Sequence, residues 1–256
     1  MSLVISKVFT YDTDAGDYIQ AVEAADGQAL EAGTRQAINN FVIGCKQDGI
    51  WSAIKASCIL SGARTLTGAL VPLVGTAPTN NNFVSGDYNR KTGLVGNGST
   101  KYLNSNRNNN ADPQNNQHLA FYASSGSTVG GRYYIGSFAG TGVAGTSFIS
   151  VGNVSSRNQA DIKKSGNSSS SNALFSAITR NSNVSFFHRS FDTTVNLTGN
   201  SAIPHDANIS VFTAGTNAAN GVAARLAFYS IGESIDLALL DARVTALITA
   251  FGVAIP

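Results

Sequence analysis

A chain of 256 residues can bury a core of its own, as one large domain or as one domain with a small appendage. Charged residues make up only 12% of it, about half the usual share, and the formal net charge is +2 with no run of Lys or Arg. That balance argues against a nucleic-acid partner, and it leaves the polar surface to Asn, Ser, Thr and Gly, which favour turns and strand surfaces over helix interiors.

The N-terminus, Met1-Ser-Leu-Val-Ile-Ser-Lys7, has no cationic region followed by a long apolar run. No signal peptide is expected, and the chain is expected to be made and folded in a host cytoplasm. No uninterrupted run of about 18 apolar residues is present, so no membrane span is expected. Residues 4–11 read as a short strand. Asp12-Thr-Asp-Ala-Gly-Asp17 then reads as a solvated turn that caps the next helix. Its acids are out of register for a calcium loop of the EF-hand kind.

Residues 18–32 have helical composition, interrupted at Asp26-Gly27. Thr34 is a candidate cap for a second helix, in which Ile38, Phe41, Val42 and Cys45 share one face. Asp48-Gly49 should end it, and residues 50–56 should resume a helical turn or two. Trp51, the only tryptophan, sits between Ile50 and Ile54 and reads as an anchor. Phe41 and Trp51 are the candidate contacts for mounting or oligomer formation. Cys45 and Cys58 lack a metal-binding spacing and read as buried small hydrophobes in helical surroundings.

Residues 62–79 are apolar but broken by Gly62, Gly68, Pro72, Gly75 and Pro78, and read as an extended crossover. Beyond Lys91 the period changes to two. Strands are expected at 93–97, 101–104, 118–124, 132–138, 147–151, 160–164, 174–180, 184–191, 193–197, 209–214 and 225–231. Short strands at this spacing indicate an antiparallel sandwich or barrel. Along 184–191 the alternation puts Val184, Phe186 and His188 on one side and Phe187, Arg189 and Phe191 on the other. The stretches 104–117 and 164–172 read as polar loops. A closing helix has Ser234 as its cap, Asp236 in its first turn and Gly252 at its end. Its apolar face is Leu240, Val244, Leu247, Ile248 and Phe251, whose burial is worth on the order of 10 kcal/mol before entropy.

Several of these stretches together resemble a widespread group of bacteriophage virion-associated proteins. They are Phe41-Val-x-Gly-Cys-Lys-x-Asp-Gly-Ile-Trp51, Lys55, the 62–79 crossover, Gly93-Leu-Val-Gly-Asn-Gly-Ser-Thr-Lys-Tyr-Leu103, His118-Leu-Ala-Phe-Tyr122 and Phe228-Tyr-Ser-Ile-Gly-Glu233. The resemblance covers about residues 34–252. It implies a mainly β, concanavalin A-like (laminin G-like) jelly roll over 81–256 that includes the C-terminal helix. Residues 1–60 would be a mounting segment and 61–80 a crossover. It also implies a structural or adhesion protein of the virion, on head or tail, with other virion proteins as partners. A homo-oligomer is expected, a trimer being one candidate order. The resemblance supplies no catalytic residues.

Chemistry in the residues themselves is sparse. A glycosidase needs two facing carboxylates, whereas Asp112, Asp161, Asp192 and Asp206 are scattered. His118 reads as an edge residue, and His118, His188 and His205 with Asp206 would hold a metal only if the fold assembled them. Gly96-Asn-Gly98 reads as a tight turn, not a phosphate loop. No cofactor, metal or catalytic residue is expected. Glycan binding is carried by candidates Arg132, Tyr133, Tyr134, Phe187 and Arg189, with core or subunit-contact aromatics as the alternative. The expectation is a non-enzymatic appendage with a host-surface or glycan-binding role. The alternatives are a purely structural decoration or tail protein and, third, a polysaccharide-degrading enzyme.

Overall fold

The computed structural model describes residues 10–138, 140, 143–159, 163–164, 171–215 and 218–256. The expected strand at 4–11 lies almost wholly outside these residues, as does much of the 160–164 strand and the 164–172 loop. The chain begins with helix α1 (Thr13–Asp26), and Asp12 caps it by accepting the Asp14 N–H at 3.0 Å. The acidic stretch is therefore the cap and first turn of the helix itself. Gly27, at φ 64°, ends it. Helix α2 (Ala32–Gln47) starts before Thr34, which is buried inside it and is not its cap.

Residues 50–56 do not return to helix. A single 3-10 turn (Trp51–Ala53) leads into strand β1 (Ile54–Ile59). Cys58 therefore sits on a strand, and both cysteines are free and buried. The crossover contains a one-turn helix α3 (Leu66–Ala69), capped by the Thr65 hydroxyl. It is tied down rather than loose. Asp26 accepts from the Arg64 and Thr65 backbone N–H groups, and Glu31 pairs with Arg64 and Arg90.

The remaining strands are β2 (Thr79–Asn81), β3 (Tyr88–Asn89), β4 (Gly93–Val95), β5 (Tyr102–Asn108), β6 (Gln117–Ser125), β7 (Tyr133–Ser137), β8 (Ser147–Ser150) and β9 (Asn153–Ser156). After them come β10 (Lys163–Lys164), β11 (Leu174–Arg180), β12 (Ser185–Ser190), β13 (Thr193–Thr198), β14 (Asn208–Val211) and β15 (Arg225–Gly232). The chain closes with helix α4 (Leu237–Ala254). Strands β1, β2, β3 and β9 were not expected from the sequence. Two of them are only two or three residues long, too short to show a period, and β9 returns from β8 through the tight turn Val151–Gly152.

The strands form two antiparallel sheets, a jelly-roll-like sandwich. The large sheet runs β13-β12-β11-β6-β15-β4-β3, with β1 also on β15; the small one runs β10-β9-β8-β7-β14-β5-β2. Leu119, Phe121, Tyr134, Ile149, Ile178, Phe186, Val211 and Tyr229 fill the space between them. A second core lies on the outer face of the large sheet, where Ala120, Phe175, Ala177 and Phe228 meet α1, α2 and α4. The molecule is thus three layers deep, with the large sheet in the middle.

This arrangement corrects the expected boundary at residue 60. Strand β1 belongs to the large sheet, and the two N-terminal helices cover that sheet instead of forming a detachable mount. Helices α2 and α4 pack antiparallel at close range. A Cβ on Gly33 would come within 2.8 Å of that of Ala254, and Asp48 grips Arg243 with two bonds of 2.7 and 2.9 Å. Asp236, not Ser234, caps α4, taking the N–H groups of Ala238 and Leu239. The helix continues through Gly252 to Ala254. By length and composition it suffices to cross a membrane, with a mean hydropathy of 1.7, but its Leu240, Val244, Leu247 and Phe251 side is packed in the core.

Candidate functional site

Strand β12 alternates as its sequence implies. Phe186 and His188 point between the sheets and are buried, while Phe187 and Arg189 point outward on the helix side. In register with them, Thr179 of β11 and Asn196 of β13 flank Phe187, and Ala177 and Thr194 flank Arg189. Helix α4 crosses this outer face but begins only at Leu237. Its first turn runs beside Phe187 and leaves a cleft of about 580 Å³.

The cleft is lined by Phe187, Thr179, Asn181, Thr194, Ser234 and Asp236, together with the chain entering α4. Its wall is held by hydrogen bonds that reach across the sheet. Thr179 accepts the Ile235 N–H at 3.1 Å and donates to the Gln117 carbonyl at 3.2 Å. Asn116 accepts the Ser234 N–H at 2.7 Å. The junction between β15 and α4 is thereby fixed against β6 and β11. Asp236 is the one carboxylate in the lining among the described residues, and one of its oxygens is engaged in capping α4.

Arg189 borders the cleft without opening into it. Its Nε donates to Asp241 of α4 at 2.8 Å, and its Nη1 donates to the Asp192 carbonyl at 2.9 Å and to the Thr194 hydroxyl at 3.3 Å. Asp241 also accepts from Thr245. The pair is nearly dry, with side-chain exposures of 12% and 7%. It fastens α4 to β12 and orients Thr194 at the cleft rim.

The other expected glycan residues are elsewhere. Tyr134 is fully buried between the sheets, stacked on Phe121 at 4.3 Å, with its hydroxyl accepting the Ser127 N–H at 2.7 Å. Tyr133 faces the opposite way, half-buried, stacked on Phe138 and edge-on to Phe148, each at 5.1 Å. Arg132 donates to the Ala219 carbonyl. These three therefore do not join Phe187 and Arg189 in one site. Phe41 is 2% exposed and packs edge-on against Phe228, so it is a core residue and not a mounting contact. Trp51 is half-buried, its Nε1 donating to Asp14 at 3.0 Å and Lys46 lying over its ring.

His118 is not an edge residue. It is buried in central strand β6, with Nδ1 at 2.5 Å from the Glu233 carbonyl and Nε2 at 2.7 Å from the Ser230 hydroxyl. The carbonyl can only accept, so Nδ1 carries the proton and Nε2 accepts from Ser230. Burial pushes the pKa of His118 down to about 4, and that of His188 likewise. Among the described residues no three His, Cys, Asp or Glu side chains assemble as a metal site. Thr179, Asn181, Thr194 and Ser234 were not read from the sequence. The signal that would have found Thr179 and Thr194 is cross-strand register with Phe187 and Arg189; Ser234 was noted only as a cap.

No protein-family model and no curated protein sequence matches the chain. Among solved structures it is similar to the botulinum neurotoxin serotype D binding domain, at 12% identity and a TM-score of 0.46, covering 76% of this chain and 51% of that one. A second similar structure, described under cell entry of botulinum neurotoxin type C through interaction with two ganglioside molecules, has 8% identity and a TM-score of 0.46, covering 78% and 51%. The chain spans about half the length of the structures it matches. Likeness at this level does not bear on what this chain binds.

Proposed function

We propose that the chain is a non-enzymatic binding module that holds a host-surface glycan in the cleft beside Phe187, and that it is carried as an oligomeric appendage of a bacteriophage particle. The cleft supports the glycan part. One aromatic ring stands beside the neutral hydrogen-bonding groups of Thr179, Asn181, Thr194 and Ser234. A pyranose has an apolar C–H face that packs on such a ring, and hydroxyls that exchange water for amide and hydroxyl partners. A glycosidase would need a second carboxylate across the cleft from Asp236, and the described lining residues supply none. The virion part rests on the sequence resemblance alone.

Two measurements test these parts separately. The full chain should bind host cells, and Phe187→Ala should weaken that binding about tenfold, or about 1.4 kcal/mol, while the fold is kept. Undiminished binding by the variant would remove the cleft from the proposal. Immunogold labelling of intact particles should mark the tail or projecting fibres; even label over the head would favour a decoration protein. One feature supports that second, purely structural reading. Edge strand β13 carries no charge, is largely exposed, and among the described residues pairs only with β12, so its free edge is open to another chain.

A further inference from the structure

The β12–β13 hairpin turns through Phe191-Asp192, and Ser190 pairs with Thr193 across it. Both turn residues have positive φ, 48° and 60°, the geometry of a two-residue turn that suits Asn-Gly. A bulky aromatic in that region is strained. Phe191 is nevertheless 43% exposed, so the strain is not offset by burial. A strained, exposed ring is an outlier that points to a use.

Phe191 borders a second depression, of about 190 Å³, with Tyr122, Phe175, Asp192, Asp241 and Thr245. Like the Phe187 cleft, this depression is lined by residues of β11, the β12–β13 hairpin and α4. The two are separated by the Arg189–Asp241 bridge: Arg189 bonds to Thr194 on the cleft side and to Asp241 and the Asp192 carbonyl on the other. Phe187 lies on β12 and Phe191 just past its end at Ser190, so four residues of nearly extended chain set them at most about 13 Å apart, longer than one pyranose ring. Each depression offers an aromatic ring and hydroxyl or carboxylate acceptors. Among the described residues lining the two depressions the charged ones are Asp192, Asp236 and Asp241, with Arg189 between them. Their net negative sign disfavours an acidic chain.

We propose that the two depressions form one groove for an extended oligosaccharide that is neutral or amine-bearing, with subsites on either side of Arg189. The proposal rests on the glycan reading above and adds the length and charge of the ligand. Phe191 would supply the stacking face of the second subsite, and Asp192 and Asp241 would accept from hydroxyl or ammonium groups there.

The test is calorimetric titration of the full chain with a panel of matched length: neutral glucan and mannan oligomers, amine-bearing chitosan oligomers, and anionic oligogalacturonate and oligosialate, each as disaccharide and pentasaccharide. A neutral or amine-bearing pentasaccharide is expected to bind at least tenfold more tightly than its disaccharide, on the order of the gain from filling a second subsite. Phe191→Asn should remove that gain while raising the melting temperature, because Asn relieves the turn. A merely structural Phe191 would not separate the two readouts. Anionic oligomers binding as well as neutral ones, or equal affinity for both lengths, would overturn the groove and leave the glycan reading standing. Binding to no member of the panel, at either length, would overturn both.

Discussion

Among the strands that carry aromatic rings in succession, β7 and β12 give their pairs opposite fates. Tyr133-Tyr134 on β7 and Phe186-Phe187 on β12 each send one ring between the sheets, where Tyr134 and Phe186 are fully buried. The outward rings differ. Tyr133 is stacked under Phe138 and against Phe148, whereas Phe187 borders an open cleft because α4 starts beside it and not above it. Strand alternation decides which ring faces outward. Whether that ring can meet a ligand depends on what lies over or beside it, which is the nearby Phe138 and Phe148 for Tyr133 and the sequence-remote helix α4 for Phe187.

The largest effects should come from the inward rings. Tyr134→Ala removes a ring stacked on Phe121 and should destabilise the fold by about 3–5 kcal/mol in urea unfolding. Phe187→Ala should cost about 1 kcal/mol, since its ring is only partly covered. Equal losses for the two would mean that Phe187 is a core residue and that the contrast between the pairs is false.

Acid should sharpen the same contrast from behind. If only the outward face at Phe187 is open, the interior next to it must be dry. His188 reports on that interior and His118 on the sheet centre. Burial lowers both pKa values to about 4 from an unfolded value of 6.5. The unfolded chain therefore takes up protons first as pH falls. Stability should be intact above about pH 6.5 and decline between 6.5 and 4, by about 3 kcal/mol for each histidine. His188→Gln should remove its share of the decline in chemical denaturation followed across pH. A share already missing in the unmodified chain would mean that water reaches behind β12.

Much of the sandwich was legible because its strands alternate cleanly. Leu174–Arg180 was read with its true limits, and the two sides of β12 were assigned correctly. What failed was whatever depends on distant partners. The run Ile54-Lys-Ala-Ser-Cys-Ile59 suits a helix as well as a strand, and only its pairing with β15 decides the matter. Thr34 has the chemistry of a cap, yet the helix begins earlier, at Ala32, and its N-cap residue Glu31 is committed to Arg64 and Arg90. The candidate site was half legible for the same reason. Phe187 and Arg189 stand out on one strand, but Ser234 comes from far along the chain, and Asn181 and the covering of Tyr133 come from neighbouring strands or their ends, whose register the pattern of one strand does not reveal.

A smaller effect than the loss of an inward ring or of a buried histidine concerns the element that leaves Phe187 uncovered. Asp241 of α4 binds Arg189 of β12 at 2.8 Å with little solvent access. Breaking a fully buried pair costs about 3–5 kcal/mol, and residual exposure here should reduce that to about 2 kcal/mol for Asp241→Ala. The loss mixes the bridge with the unpaired guanidinium left behind, so a cycle with Arg189→Met is needed to isolate the coupling. A coupling near 1–2 kcal/mol would identify the bridge as what holds α4 alongside the cleft, and Arg189→Met should then weaken glycan binding although Arg189 lines neither depression. A coupling near zero would assign that placement to the apolar packing of α4 against α2 and the sheet. The open and covered aromatic pairs would then differ only through where the helix starts, at the Asp236 cap.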